Sequence, residues 1–471
     1  MLAEDRVVME TFLIKQARLD PNIFIELIMT DEEARPLSQS SIHFAISDFM
    51  DRNSRGVIRF PREHGKTTQM VARIAWEIGT DPRLRHKLVS SSDDEAVKRG
   101  KAVKELVETP LYNLIFPHIQ PGREWTDKRF SVRRDTITPE STLECYGLHS
   151  RATGGRADRL WFDDPDDEEV VTSQTKRNRN WDRTSNVWLN QLTPDGKAFI
   201  LCTPWHLRDI SHRLLEQGWP VISFPIQNMI PVWPERWGVK HLEARKADIG
   251  SLAFARGFNL VALSEEDTPI QSEWIRFWRN LPQFSAIGVI CDPAISLKLS
   301  ADYSAIGTLG VTRDYNVFVL SVIRKRLTFP KLISELIRAA EAAEVRYGLI
   351  PAIGVESTAY QEAIPSVLVK EVKNPIIRLK SSKSKFTRIS RLAVHIENGR
   401  VWLKGNGSSN SVSKDQESLY DECISYPSST FDDQVDMLAY GVELMLKIGR
   451  RGGAYASAPS TGNQEAAEMD V

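Results

Sequence analysis

Cysteine is scarce: four in 471 residues, at Cys145, Cys202, Cys291 and Cys423. They lie far apart and form no C-x-x-C pair. That excludes a disulfide framework or a zinc knuckle and points to buried free thiols in a reducing compartment. No apolar run approaches the length that spans a bilayer. The first stretch, MLAEDRVVMETFLIKQ, sets acids among its apolar residues and is no signal peptide. An excess of positive charge is also lacking. With 61 basic and 62 acidic residues the net charge is −1, so any contact with nucleic acid has to come from local patches. Hydrophobic residues at 41% and charged residues at 26% fit a soluble globular chain, long enough for two or three domains.

The chain is organised around RFPREHGKTTQM, residues 59–70. An apolar run, GVIRF, precedes it and reads as a short buried strand. MVARIAWEI follows with apolar residues at helical spacing (Val71, Ile74, Ala75, Ile78). Strand, Gly-Lys-Thr, helix is the context of a phosphate-binding loop, because N–H groups at a helix start and the helix dipole both favour an anion. Gly65 lets the backbone approach a phosphate, Lys66 reaches the β- and γ-phosphates, and the Thr67 hydroxyl suits Mg²⁺, with Thr68 beside it. The glycine that opens the fuller pattern is missing, and Phe60 stands there. The alternative is a solvated helix start with Thr67 or Thr68 near its cap.

Residues 1 to about 50 read as amphipathic helices. After the Gly-Lys-Thr loop, HKLVSSS and STLECYGL read as strands and DDEAVKRGKAVKELVE as a helix with an acidic first turn. This alternation predicts a parallel sheet with ligands at the carboxyl ends of its strands. RLWFDD ends an apolar strand in Asp163 and Asp164, the form of a Walker B segment. Asp163 would hold Mg²⁺, and Asp164 would orient or deprotonate the attacking water. An acidic turn around Pro165 is the alternative. KAFILCTPWH reads as a buried strand ending in Thr203, placed to sense a γ-phosphate or simply terminated by Pro204. Arg156, in the Gly- and Arg-rich loop SRATGGRADR, could meet a phosphate of its own or a neighbouring subunit, or be a solvated turn.

Residues 206–284 loosen into a Trp- and Pro-rich segment, read as a lid subdomain and linker with packing tryptophans and one helix over 243–260. At AIGVICDPAIS the texture changes. Three strands predict an antiparallel meander, followed by a helix closed by Gly348, a strand ending in Glu356, a helix, a short strand and a last helix carrying Asp432, Asp433 and Asp436. This order, β-β-β-α-β-α-β-α with acids at Asp292, Glu356 and the last helix, is a ribonuclease H-like arrangement. Such acids suit Mg²⁺ or Mn²⁺, two ions about 4 Å apart in phosphodiester cleavage. Each acid has its alternative as a strand end or a helix N-terminal charge. The run KSSKSKFTRISR places Lys380, Lys383, Lys385, Arg388 and Arg391 near one another, for phosphate contact or as a solvated helix face. The tail from 450 has the composition of disorder.

PREHGKTT, GGRADRLWFDDP and FILCTPWH together resemble the ATPase half of tailed-phage terminase large subunits. DPAISLKLSADYSAI, GVEST and DDQVDMLAY resemble the acidic motifs of their nuclease half. The resemblance spans roughly residues 50–445 and implies an α/β chain: an additional-strand, RecA-like P-loop ATPase (1–205), the lid and linker (206–284), then a ribonuclease H-like nuclease (285–449). It matches Arg62 to a basic loop residue on the γ-phosphate and Thr203 to a coupling motif. Asp164 stands where many members have Glu, so Glu168 or Glu169 is an alternative. It carries metal roles onto Asp292, Glu356 and Asp436, with Asp433, Asp432 and Asp302 as further candidates, and DNA contact onto Lys383, Lys385, Arg388 and Arg391. The implied function is ATP-driven packaging of double-stranded viral DNA and its Mg²⁺- or Mn²⁺-dependent cutting. The implied partners are the portal, a small terminase subunit and further copies in a ring. No membrane is involved, and the implied place is the host cytoplasm, transiently at the procapsid. A P-loop helicase-nuclease of DNA repair, or a non-catalytic DNA-binding relative, are the rival readings.

Overall fold

The computed structural model describes all residues except 1–2, 32–33, 152–153, 263–266, 294–302, 357–362, 381–382, 408–410, 430, 451–466 and 471. The chain forms two compact units, Met1–Lys246 with Ala253–Ser264, and Ala247–Leu252 with Glu265–Val471. Each is built on a mixed sheet of eight strands among the described residues.

The strands of the first unit are β1 (Arg55–Arg59), β2 (His86–Ser90), β3 (Pro121–Trp125), β4 (Arg129–Val132), β5 (Leu143–Gly147), β6 (Ala157–Asp163), β7 (Leu192–Cys202) and β8 (Val221–Ser223). Their order is β3-β4-β5-β2-β6-β7-β1-β8. From β5 to β8 every pair is parallel, while β3 and β4 form an antiparallel edge. The central strands are apolar runs because helices cover both faces. Val57, Val89, Leu160, Phe162, Ala198 and Ile200 share one core with Trp188. Register levels the strand ends, with Ser90 opposite Asp163 and Arg59 opposite Cys202. Helix Asp93–Glu108 starts where expected, with Ser92 accepting from Glu95 N and three acids in its first turn. The N-terminal segment is helical at Ala3–Leu19, Pro21–Ile28 and Ser41–Arg52.

The second unit holds β9 (Arg276–Trp278), β10 (Ala286–Asp292), β11 (Ser304–Val311), β12 (Val317–Lys325), β13 (Ala352–Glu356), β14 (Ile376–Lys380), β15 (Val401–Lys404) and β16 (Ala467–Asp470). The order is β16-β14-β13-β10-β11-β12-β15-β9. The expected meander is present: β10, β11 and β12 pair antiparallel. β13 pairs parallel with β10, which sets the end of β13 beside the end of β10. Helices Phe329–Tyr347 and Ala363–Glu371 supply Leu332, Leu336, Ile364 and Leu368 to one core. On the sheet, glycines leave room for the last helix, Asp433–Arg450. A Cβ at Gly307 would lie 2.4 Å from Met437 Sδ, and one at Gly288 2.5 Å from Met445 Sδ.

Within residues 206–284, β8 extends the first sheet beside β1 and β9 extends the second beside β15. Two expectations change. The single helix over 243–260 is two, Val239–Ile249 and Ser251–Gly257, broken at Gly250 with φ +80°. The tail is not wholly disordered: Ala467–Asp470 pairs parallel with β14, and the stretch 451–466 lies outside the described residues. No helix among the described residues is long and apolar enough to cross a membrane.

Gly147 closes β5 directly under the start of helix Asp93–Glu108. A Cβ there would lie 2.6 Å from Asp93 N and 2.8 Å from Ser92 C, backbone atoms that cannot swing aside. Gly147→Ala should therefore cost about 1–3 kcal/mol through overpacking. A urea titration followed by tryptophan fluorescence should show a lower midpoint for the first unit; an unchanged midpoint would contradict this contact.

Candidate active sites

The loop after β1 is held from several sides. Arg62 N donates to Gly257 O at 2.9 Å, and Trp237 Nε1 donates to Glu63 O at 3.2 Å. His43 Nε2 lies 2.9 Å from His64 O. His64 stacks on Trp237 at 5.4 Å, and burial lowers its pKa to about 4, so it stays neutral. Phe60 replaces the missing glycine for a packing reason: its ring is fully buried between His43 and Phe224. Gly65 takes φ +86° and starts helix Lys66–Thr80, a conformation that favours glycine.

The Walker-type residues meet at the carboxyl edge of the sheet. Lys66, buried, forms an ion pair with Asp164, and its Nζ lies 3.4 Å from Thr203 Oγ1. Thr67 Oγ1 donates to the Asp163 carboxylate at 3.1 and 3.2 Å. Asp163 is wholly buried. Burial, then the charge of Asp164, push its pKa up, against Lys66 and Arg99. Asp164 sits at φ +42° and accepts from Thr203 N at 3.1 Å. Thr203 Oγ1 in turn donates to Phe60 O at 3.1 Å, tying the strand end to the loop.

Sequence reasoning missed several neighbours. Arg99 Nε donates to Asp163 Oδ2 at 2.9 Å from a helix one turn past its acidic start. A cavity of about 490 Å³ opens beside Gly65, Lys66 and Thr68, and His43, Trp233 and Arg236 line it too. His43 meets Trp233 edge-on at 4.6 Å. These residues come from remote segments, and no local spacing marks them. Arg62 lies over the Trp205 ring at 5.0 Å. Arg156 is exposed, and its backbone N–H donates to Glu140 at 2.9 Å.

In the second unit Asp292 and Glu356 end adjacent parallel strands. Burial, then a hydrogen bond to Glu356 and the charges of Glu356 and Asp436, hold the Asp292 pKa well above the carboxylate range. That environment favours the protonated form of Asp292. Glu356 Oε1 also accepts from Tyr440 Oη at 2.7 Å. Asp436 differs, because Arg388 grips it through Nε at 2.7 Å and Nη2 at 2.8 Å, with Lys385 Nζ at 3.5 Å. Lys385 also pairs with Asp432 at 2.8 Å. Burial and Glu422 raise Asp433 to about 6. Glu422, unremarked in the sequence, accepts from Gln434 N, Val435 N and Arg324, and so caps the last helix.

Arg388 turns inward onto Asp436, and Lys385, 34% exposed, pairs with Asp432 and Asp436, since helix Lys385–Glu397 presents that face to the last helix. Lys380 pairs with Glu468 at 3.0 Å, Lys383 is half-buried and Arg391 is exposed. Among the described residues no three His, Cys, Asp or Glu gather as a metal-holding group. Asp302 lies outside the described residues.

The chain is similar to solved structures of the large terminase from a thermophilic bacteriophage. One has a TM-score of 0.55 at 12% identity, covering 87% of this chain and 100% of that chain. The same terminase in complex with ATP-gamma-S has a TM-score of 0.51 at 14% identity, over 86% of this chain and 99% of that chain. In complex with ADP it has 0.52 at 14%, over 87% and 100%. No family model and no curated protein matches the chain. At such identity the likeness shows the fold, an α/β chain of two units.

Asp292 and Asp436 should respond oppositely to neutralisation. Asp292 has a raised folded pKa, so its contribution to stability is present at low pH and lost as pH rises through and above the ordinary carboxylate range. Asp292→Asn keeps a donor toward Glu356 and removes the repulsion. Its unfolding midpoint in metal-free buffer should exceed wild type at pH 8, with the gap closing toward pH 4. Asp436→Asn instead strands a buried guanidinium whose side chain is 7% exposed. That should cost about 3 kcal/mol. Equal effects of the two variants would contradict this charge assignment.

Proposed function

We propose that this chain is a terminase large subunit: an ATPase motor that drives viral double-stranded DNA into a procapsid, joined to a metal-dependent nuclease that cuts concatemeric DNA. The observation that carries the reading is the shared fold over most of the chain, with a Lys66–Thr67–Asp163–Asp164–Thr203 cluster at the strand ends of the first sheet and Asp292 with Glu356 at those of the second.

In the first unit ATP is the substrate. Its phosphates would lie against the backbone N–H groups of Gly65 to Thr68, with Lys66 on the β- and γ-phosphates. A buried acid with a raised pKa lacks positive charge, and Asp163 with Thr67 would hold Mg²⁺, which screens the phosphates when bound. Lys66 is paired to Asp164 in this structure. A triphosphate competes for that lysine, and the released Asp164 then accepts a proton from the attacking water. Thr203 hydrogen-bonds to the loop backbone and to Asp164, so loss of the γ-phosphate reaches the next strand through it. Arg62 stabilises the leaving charge, and Arg156, exposed, would serve a neighbouring copy in a ring.

In the second unit Asp292 and Glu356 fit a hard dication, Mg²⁺ or Mn²⁺, which would supply an activated water when bound. Asp436 anchors Arg388 and Lys385 beside the pair and joins the metal set only on leaving them; Asp433 lies next along the helix. Exposed Arg391 would meet the DNA backbone, with Lys383 near it along the chain. The portal and a small terminase subunit are the further partners, met in the host cytoplasm at the procapsid.

The two activities should separate by mutation in the full chain. Lys66→Ala should abolish ATP turnover and packaging while plasmid cleavage in Mn²⁺ without ATP continues. Glu356→Gln should stop cleavage and leave ATP turnover within about twofold. Cleavage should weaken as salt rises, through counterion release. Wild-type ATPase activity in Lys66→Ala protein would refute the motor assignment, and intact plasmid with the wild-type chain would refute the nuclease.

A further inference from the structure

Arg256, on helix Ser251–Gly257, has no place in the machinery above. It is 8% exposed, and its Nε is buried without a hydrogen-bond partner. The guanidinium lies over the Trp205 ring at 4.0 Å, and Arg62 lies over the same ring at 5.0 Å. One indole therefore carries two guanidinium groups. An indole face attracts a cation, but it does not neutralise two, and neighbouring like charges repel strongly at low dielectric. Burial and then Arg62 pull the Arg256 pKa down to about 9, with Glu168 acting the other way.

Three elements meet at this arginine. Arg62 belongs to the phosphate loop and is tied to the next residue on the helix, Gly257, by its backbone N–H. Trp205 lies two residues past Thr203, whose hydroxyl contacts Lys66. Glu168 belongs to the acidic turn behind Asp164. An arginine set among these elements, buried and with its Nε lacking an acceptor, is complementary to an anion with several oxygens.

We infer that Arg256 is a receptor for the terminal phosphate, acting with Arg62 across the Trp205 ring and making the site discriminate triphosphate from diphosphate. This rests on the ATPase reading of the first unit. With a diphosphate the two guanidiniums share only the Trp205 ring, and a third phosphate supplies the anion that both lack. Trp205 is the spacer that holds their planes in place before the phosphate arrives. The same oxygens are offered by a bound γ-phosphate and by orthophosphate just released, and the test distinguishes these sources.

The experiment uses the full chain with Arg256→Met, which keeps length and apolar bulk, and Arg256→Lys, which keeps the charge. Titrations with ATP-gamma-S, with ADP, and with orthophosphate in the presence of ADP are followed by calorimetry. Arg256→Met should leave the ADP Kd within about twofold and weaken ATP-gamma-S by about tenfold or more, with kcat down by about 10²-fold. Arg256→Lys should recover part of the loss. Loss confined to orthophosphate binding would identify the released product as the anion received. The metal- and nucleotide-free Tm of Arg256→Met should match or exceed wild type, because the repulsion between two close guanidiniums is gone, and its rise on adding ATP-gamma-S should be smaller. Unchanged binding of all three ligands and unchanged kcat in Arg256→Met would overturn the inference. A wild-type chain that binds neither nucleotide would instead overturn the ATPase reading.

Discussion

Parallel pairing levels the carboxyl ends of neighbouring strands, and both units depend on that constraint. In the first, β2, β6, β7 and β1 end together, so Ser90, Asp163, Thr203 and the Gly65 loop share one edge. In the second, β13 pairs parallel with both β10 and β14, and its pairing with β10 brings Asp292 beside Glu356. Right-handed crossovers send the chain away over a helix and return it at the same edge, so side chains far apart in sequence converge without a dedicated loop.

Buried charge follows from that convergence. Most of it is compensated on site. Glu77 is gripped by Arg73 at 3.0 Å and Arg159 at 2.9 Å, Asp163 by Arg99, and Asp436 by Arg388. Such pairs hold geometry more than they add stability, since desolvation offsets much of the attraction. The exceptions are informative. Asp292 and Glu356 set two carboxyl groups side by side, and Arg256 and Arg62 set two guanidiniums over one ring. One is short of a cation and the other of an anion, which is the polarity that a metal and a phosphate would each supply.

The middle of the chain shows how packing redistributes a segment. Tryptophans between 206 and 284 do pack, as their composition suggests, but they pack around the loop after β1. Trp237 holds Glu63 and His64, and Trp233 lines the cavity beside Lys66. Trp205, just before them, carries two arginines. The segment read as a lid and linker thereby supplies part of the wall of the site.

Much of the site was legible because its signals are local. A strand running into Gly-Lys-Thr, or into Asp163, or into Thr203, places each residue by chain direction alone, since an apolar run must be buried and its polar end must emerge. The same rule found Asp292 and Glu356. Charge orientation was not legible. Lys385 and Arg388 look like a basic surface in one dimension, and only the packing of helix Lys385–Glu397 against the last helix turns them onto acids. His43, Trp233, Arg99 and Arg256 reach their positions from distant elements, so no spacing betrays them. The four-residue β16 is too short and too polar to signal a strand, and exists because β14 offers an open edge. By itself the sequence determined which segments are strands and helices and which side chains leave their ends, because those follow from apolar period and backbone chemistry. The tertiary structure alone decided which charges meet, because electrostatic partnership depends on distance in space, and a chain that folds back sets those distances without regard to its order.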